Sequence, residues 1–142
     1  MKKIVITSFI LIAALTSLAD SSNLEQCLSQ AKISATKEIC FVEETQIQKR
    51  ALDQVYTETL MLMAQNRVDS SAFIQEQNNW LTTSESTCMK QVRESTNDEG
   101  QASTVEQKNL GLKFCLYQST VNKLSHVYIE LRTQKQQQQN TL

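Results

Sequence analysis

The chain is 142 residues long with a formal charge of −1, so it lacks the basic surplus that a nucleic-acid partner demands. It has no proline, two glycines and 20% charged residues, which is too few turn residues for a strand-rich domain and a composition that favours helices. A single histidine and four cysteines leave a poor inventory for acid–base or metal chemistry, and neither a cofactor nor a metal is expected.

The amino terminus reads as an export signal. Met1-Lys2-Lys3 is short and positive, and Ile4 to Leu15 is almost wholly apolar. Ser17 and Ala19 put small residues where a signal peptidase reads them, which predicts cleavage after Ala19. The apolar run falls short of the roughly 20 residues a transmembrane helix needs, so no span is expected after cleavage. No cysteine stands at the cleavage point, which argues against a lipid anchor. Loss of Lys2 and Lys3 leaves 12 of the 14 basic side chains against 15 acidic ones, a charge of −3 that suits a cationic partner. Residues 1–19 are thus read as a signal peptide and 20–133 as one helical domain. Residues 134–142 are read as a polar, Gln-rich tail, expected to fray because nothing apolar holds it down.

Four helical stretches follow in the exported part. The first, about 22 to 32, carries Cys27. The second, about 35 to 66, has Ser34 as its expected cap and an apolar face that includes Ile39, Cys40, Ile47, Leu52, Val55, Tyr56 and Met63. Asp69 is the expected cap of the third, in which Phe73, Gln77, Trp80, Leu81, Ser84, Cys88 and Val92 recur at spacings of three and four. The polar stretch from Ser95 to Ser103, with Gly100, reads as a loop. Ser103-Thr104-Val105-Glu106 resembles a capping box and opens the fourth helix. There Leu110, Phe114, Tyr117, Val121, Leu124, Tyr128 and Leu131 form one long stripe. Phe73, Trp80, Phe114, Tyr117 and Tyr128 are expected to meet in the core. The fold class is therefore all-α: a small antiparallel helical bundle after a signal peptide.

Cys27, Cys40, Cys88 and Cys115 all lie in the exported part, and an even count in a short exported chain reads as two disulfides. Zinc would want close C-x-x-C pairs or several histidines, whereas Cys27 and Cys40 have twelve residues between them and His126 is alone. Sequence alone allows three pairings; 27–40 with 88–115, which closes two local loops, is preferred. No nucleophile elbow, phosphate-binding glycine loop or zinc-protease motif occurs, so no catalytic residue is assigned and the chain is read as no enzyme. His126 reads as a partly exposed helix residue. The adjacent carboxylates Glu43 and Glu44 point in different directions on a helix and make no acid–base pair.

Gln77-Asn78-Asn79-Trp80-Leu81, followed by Ser84-Glu85 and Cys88, resembles the signature of the lysozyme-inhibitor LprI family of exported bacterial proteins. Ser84 stands where arginine is usual and Glu85 where aspartate is. Leu52-Asp53-Gln54-Val55-Tyr56 is similar to a Leu-Asn-x-x-Tyr motif on the preceding helix. Downstream, Gly100, Cys115, Thr120 and Lys123 resemble the closing helix, and Cys27 with Cys40 fits members carrying an extra amino-terminal disulfide. The resemblance implies a small helical periplasmic domain with Cys88 joined to Cys115, and a protein of the kind that binds and inhibits lysozyme. The loop Asn97-Asp98-Glu99-Gly100, acidic and braced at its base, is the candidate segment for filling a lysozyme cleft. The alternative is a structural or interaction module of the cell envelope with no inhibitory activity, which would bind another envelope protein through Leu116 and Ile129 on the fourth helix. The sequence assigns no oligomeric state.

Overall fold

In the computed structural model of the chain, residues 16–97 and 104–140 are described. Among them are four helices and no strand: α1 (Thr16–Gln30), α2 (Ser34–Gln65), α3 (Ser71–Asn97) and α4 (Val105–Asn140). No helix among the described residues is long and apolar enough to cross a membrane. The two disulfides join Cys27 to Cys40 and Cys88 to Cys115, the preferred sequential pairing.

Local chemistry sets the helix ends. Ser70, whose carbonyl accepts from the Ile74 N–H, holds the cap position of α3 in place of the expected Asp69. Asp69 stands one residue before it and accepts from the backbone N–H of Ser71 at 3.0 Å and from its hydroxyl at 2.6 Å, satisfying a donor that the first turn would otherwise leave open. The box that opens α4 lies one residue beyond the expected one. Gln107 Oε1 accepts from the Thr104 N–H and Thr104 Oγ1 accepts from the Gln107 N–H. Ser34 is not a cap: Ile33 holds that position, with no side-chain hydrogen bond, and Ser34 is the first helical residue. The α2 terminus is a Schellman motif. The N–H of Val68 donates to Met63 and that of Arg67 to Ala64, with Arg67 at φ 57° where glycine is usual.

Partnerships along α4 give the topology. Phe41 meets Phe114 and Tyr117 near the starts of α2 and α4, while Asn66 meets Gln134 near their ends, so these two helices run parallel. α3 runs against both, with Glu76 opposite Lys123, Trp80 opposite Ser119 and Cys88 opposite Cys115. α4 is therefore the central helix, packed on α2 along much of its length and on α3 more sparingly. α2 and α3 meet through side chains near their connecting turn, where Tyr56 stacks on Phe73 at 5.0 Å.

The core comprises Leu52, Val55, Met63, Phe73, Val127 and Leu131, with Tyr56, Trp80 and Leu124 packed against it. It corrects the expected faces. Ile39, Leu81, Phe114 and Tyr128 are exposed, and the aromatic side chains form separate groups instead of one cluster. The buried seam of α4 is Thr120, Lys123, Val127, Leu131 and Gln134. The physical reason is that hydrogen bonding lets polar side chains occupy core positions. Thr59 and Thr120 bond back to the carbonyls of Val55 and Leu116, and Gln134 bonds Glu130 and Asn66. The helix runs on into the Gln-rich segment: α4 continues to Asn140, and Gln138 Nε2 donates to Gln65 Oε1.

Candidate functional site

The antiparallel α3 and α4 enclose a groove of about 480 Å³, within the range of small-molecule sites. Its register follows from the cross-helix pairs. At one end Lys123 donates to Glu76 Oε1 at 2.6 Å, and His126 Nδ1 lies 3.1 Å from the same oxygen. In the middle Trp80 Nε1 donates to Ser119 Oγ at 3.0 Å. At the other end the Cys88–Cys115 disulfide ties the walls together, with Gln91 beside it.

The charged end is neutralised within itself. The Lys123 side chain is only 6% exposed, and an ammonium group so enclosed is tolerated because a carboxylate meets it. The Lys123 hydrogen bond, more than the opposing desolvation, holds the Glu76 carboxyl below the usual glutamate range, with the charges of Lys123 and His126 adding to it. Beyond that end the walls are hydroxyls and amides.

The sequence motif residues divide between this groove and the core. Trp80, Ser84, Cys88 and Cys115 line the groove. Leu52 is core, Tyr56 stacks on Phe73, and Gln77 is buried with its Oε1 unpartnered among the described residues. Leu81 stands apart on the exposed side of α3. Asp98, Glu99 and Gly100 of the candidate loop lie outside the described residues, as do the apolar run of the export signal and Ser103; Asn97 closes α3. Ile129 is exposed, but Leu116 is half-buried and offers less of the surface expected of it. Glu76 was missed as a partner. The available signal was the spacing of Lys123 and His126, three apart and hence on one helix face, which calls for an acidic residue opposite.

Elsewhere a buried carboxylate, Glu44, accepts from Gln48 Nε2 at 2.7 Å. Burial, with the Glu44 charge adding to it, pushes the Tyr117 hydroxyl up. Among the described residues no cluster of histidine, cysteine and carboxylates could hold a metal.

A family model described as Lysozyme inhibitor LprI matches residues 27–113 of the chain. The match takes in Cys27, Cys40 and Cys88 and stops two residues before Cys115. No curated protein and no solved structure matches.

Proposed function

The chain belongs to the lysozyme inhibitor LprI family, and from that premise we propose that it is an exported, non-catalytic binding protein whose partner is a lysozyme or a similar wall-degrading enzyme. The family match over 27–113 is the observation that carries this reading. Export through the signal at residues 1–19 delivers the protein to the periplasm or beyond, an oxidising setting in which both disulfides persist.

The contact we propose is the segment Asn97-Asp98-Glu99-Gly100. Lysozyme cuts glycan between two carboxylates in a cleft, and an inhibitor acts by keeping glycan out of it. The disulfide holds the Cα atoms of Cys88 and Cys115 5.6 Å apart and so tethers the two helices that flank the segment. A tethered segment loses less entropy on binding than a free one. Its acidity speeds encounter with a cationic enzyme.

A wall-lysis assay tests the reading directly. The oxidised protein lacking residues 1–19 should protect cell walls in a dose-dependent way at micromolar concentration. Absence of protection across several lysozyme types would overturn it. The double variant Asp98→Lys/Glu99→Lys should slow association with little change in the helical signal, and an unchanged rate would move the contact elsewhere.

A further inference from the structure

We propose that the groove between α3 and α4 binds a short, neutral oligosaccharide. The argument proceeds by what the groove can and cannot recognise. An anionic ligand finds no free cation, because Lys123 is enclosed and already donates to Glu76 at 2.6 Å, with His126 on the same oxygen. A cationic ligand meets Glu76 with its Oε1 already shared between Lys123 and His126, and the Lys123 ammonium held 2.6 Å from that oxygen opposes a second cation beside it. An apolar ligand finds one aromatic ring and a disulfide among walls that are mostly polar.

What remains open is a row of uncharged hydrogen-bonding groups. Thr87 on α3 and Gln118 and Asn122 on α4 each carry a donor and an acceptor, and Thr83, whose hydroxyl donates to the Asn79 carbonyl at 2.7 Å, keeps an acceptor; all four are exposed. A ligand that satisfies such walls must itself carry many donors and acceptors close together and no charge, which describes the hydroxyls of a sugar. Trp80 supplies an apolar surface among them, the complement of the C–H face of a pyranose ring. The volume of about 480 Å³ accommodates two or three sugar units in an open groove. This site is separate from the proposed lysozyme contact, and its test contains no enzyme, so one reading can fail without the other.

Trp80 is the only tryptophan of the chain, so intrinsic fluorescence reports on the groove itself. Tri-N-acetylglucosamine and maltotriose are titrated separately into the oxidised protein lacking residues 1–19, with fluorescence and calorimetry read in parallel. The expected result is a saturable change with at least one sugar at millimolar concentration. In the double variant Gln118→Ala/Asn122→Ala it should weaken by about tenfold or more, since two hydrogen-bonding side chains are lost. Both residues are exposed, and an unchanged helical spectrum verifies the fold. No response to either sugar by either readout would overturn the proposal, as would binding that the double variant leaves intact. Binding of an uncharged tripeptide, trialanine acetylated and amidated at its ends, in place of both sugars would overturn it too, by assigning the groove to a polypeptide.

Discussion

The two sides of α4 are held by different physics. Towards α2 it presents Val127 and Leu131 to Leu52, Val55 and Met63, a continuous apolar seam with Thr59 and Thr120 folded back onto their own helices. Towards α3 it presents discrete links: the Cys88–Cys115 bond, the Trp80–Ser119 hydrogen bond and the Lys123–Glu76 pair. Apolar burial is non-directional and spread over many contacts, so it tolerates the loss of any one polar group. Discrete links fail one at a time. The seam should therefore carry global stability, and the groove side should be the part that opens locally.

The largest effect should come from the link that closes the longest loop. Cys88 and Cys115 are 27 residues apart, which corresponds to roughly 3.5 kcal/mol on the chain-entropy account. The variant Cys88→Ser/Cys115→Ser should lower Tm and remove hydrogen-exchange protection from the distal half of α3, about residues 84–95, before it affects α2. Uniform loss of protection in all helices would break the contrast between the two sides.

Leu52→Ala probes the other side. Leu52 is 1% exposed and central to the seam, so its truncation should cost about 3 kcal/mol through lost burial and a residual cavity. Denaturant unfolding followed by far-ultraviolet circular dichroism and by Trp80 fluorescence should shift together, because the seam supports both signals. Separate shifts would show that α3 does not depend on the seam.

How much of this was legible beforehand differs between the same two regions. Helix number, approximate bounds and the core roles of Leu52, Val55 and Met63 follow from apolar periodicity, which reports burial driven by the hydrophobic effect. Apart from Trp80, Ser84 and the two cysteines, the groove is made of groups that periodicity counts as outside. Lys123 and Gln134 are buried because specific partners, Glu76 and Asn66, stand across from them, and such pairing depends on tertiary register. Conversely, Phe114 and Tyr128 look like core by spacing and are exposed, since the seam of α4 is offset by about one residue from the stripe of its largest side chains. The motif residues Trp80 and Cys88 were legible as a pattern, but nothing in the pattern placed them along one groove.

Glu76 gives the groove side an acid-sensitive element. Its carboxyl is held below the usual glutamate range when folded, chiefly by the Lys123 hydrogen bond, so its contribution to stability is complete above the ordinary glutamate value. That contribution is lost as pH falls through the lower folded-state value. Half of the Glu76 side chain is exposed, so solvent screening keeps the effect modest. In the variant Glu76→Gln stability should be lower at neutral pH and should converge with that of the parent protein in acid. A constant difference across the acid range, measured by urea midpoints, would assign the contribution to packing instead of charge.

The smallest expected effect separates proximity from necessity at the same interface. Gly111 faces Val92 where α4 passes α3, which suggests that the helices need a residue without a side chain there. A Cβ placed on Gly111 would stand 3.5 Å from Val92 Cγ2, an ordinary van der Waals contact. The helix interior gains about 0.5–1 kcal/mol when glycine becomes alanine, because the unfolded chain loses freedom. Gly111→Ala should therefore raise Tm slightly and leave the Cys88–Cys115 disulfide in place. A fall in Tm would show that α3 and α4 are pressed closer than their separation indicates, and that the groove side has its own packing requirement in addition to its three links.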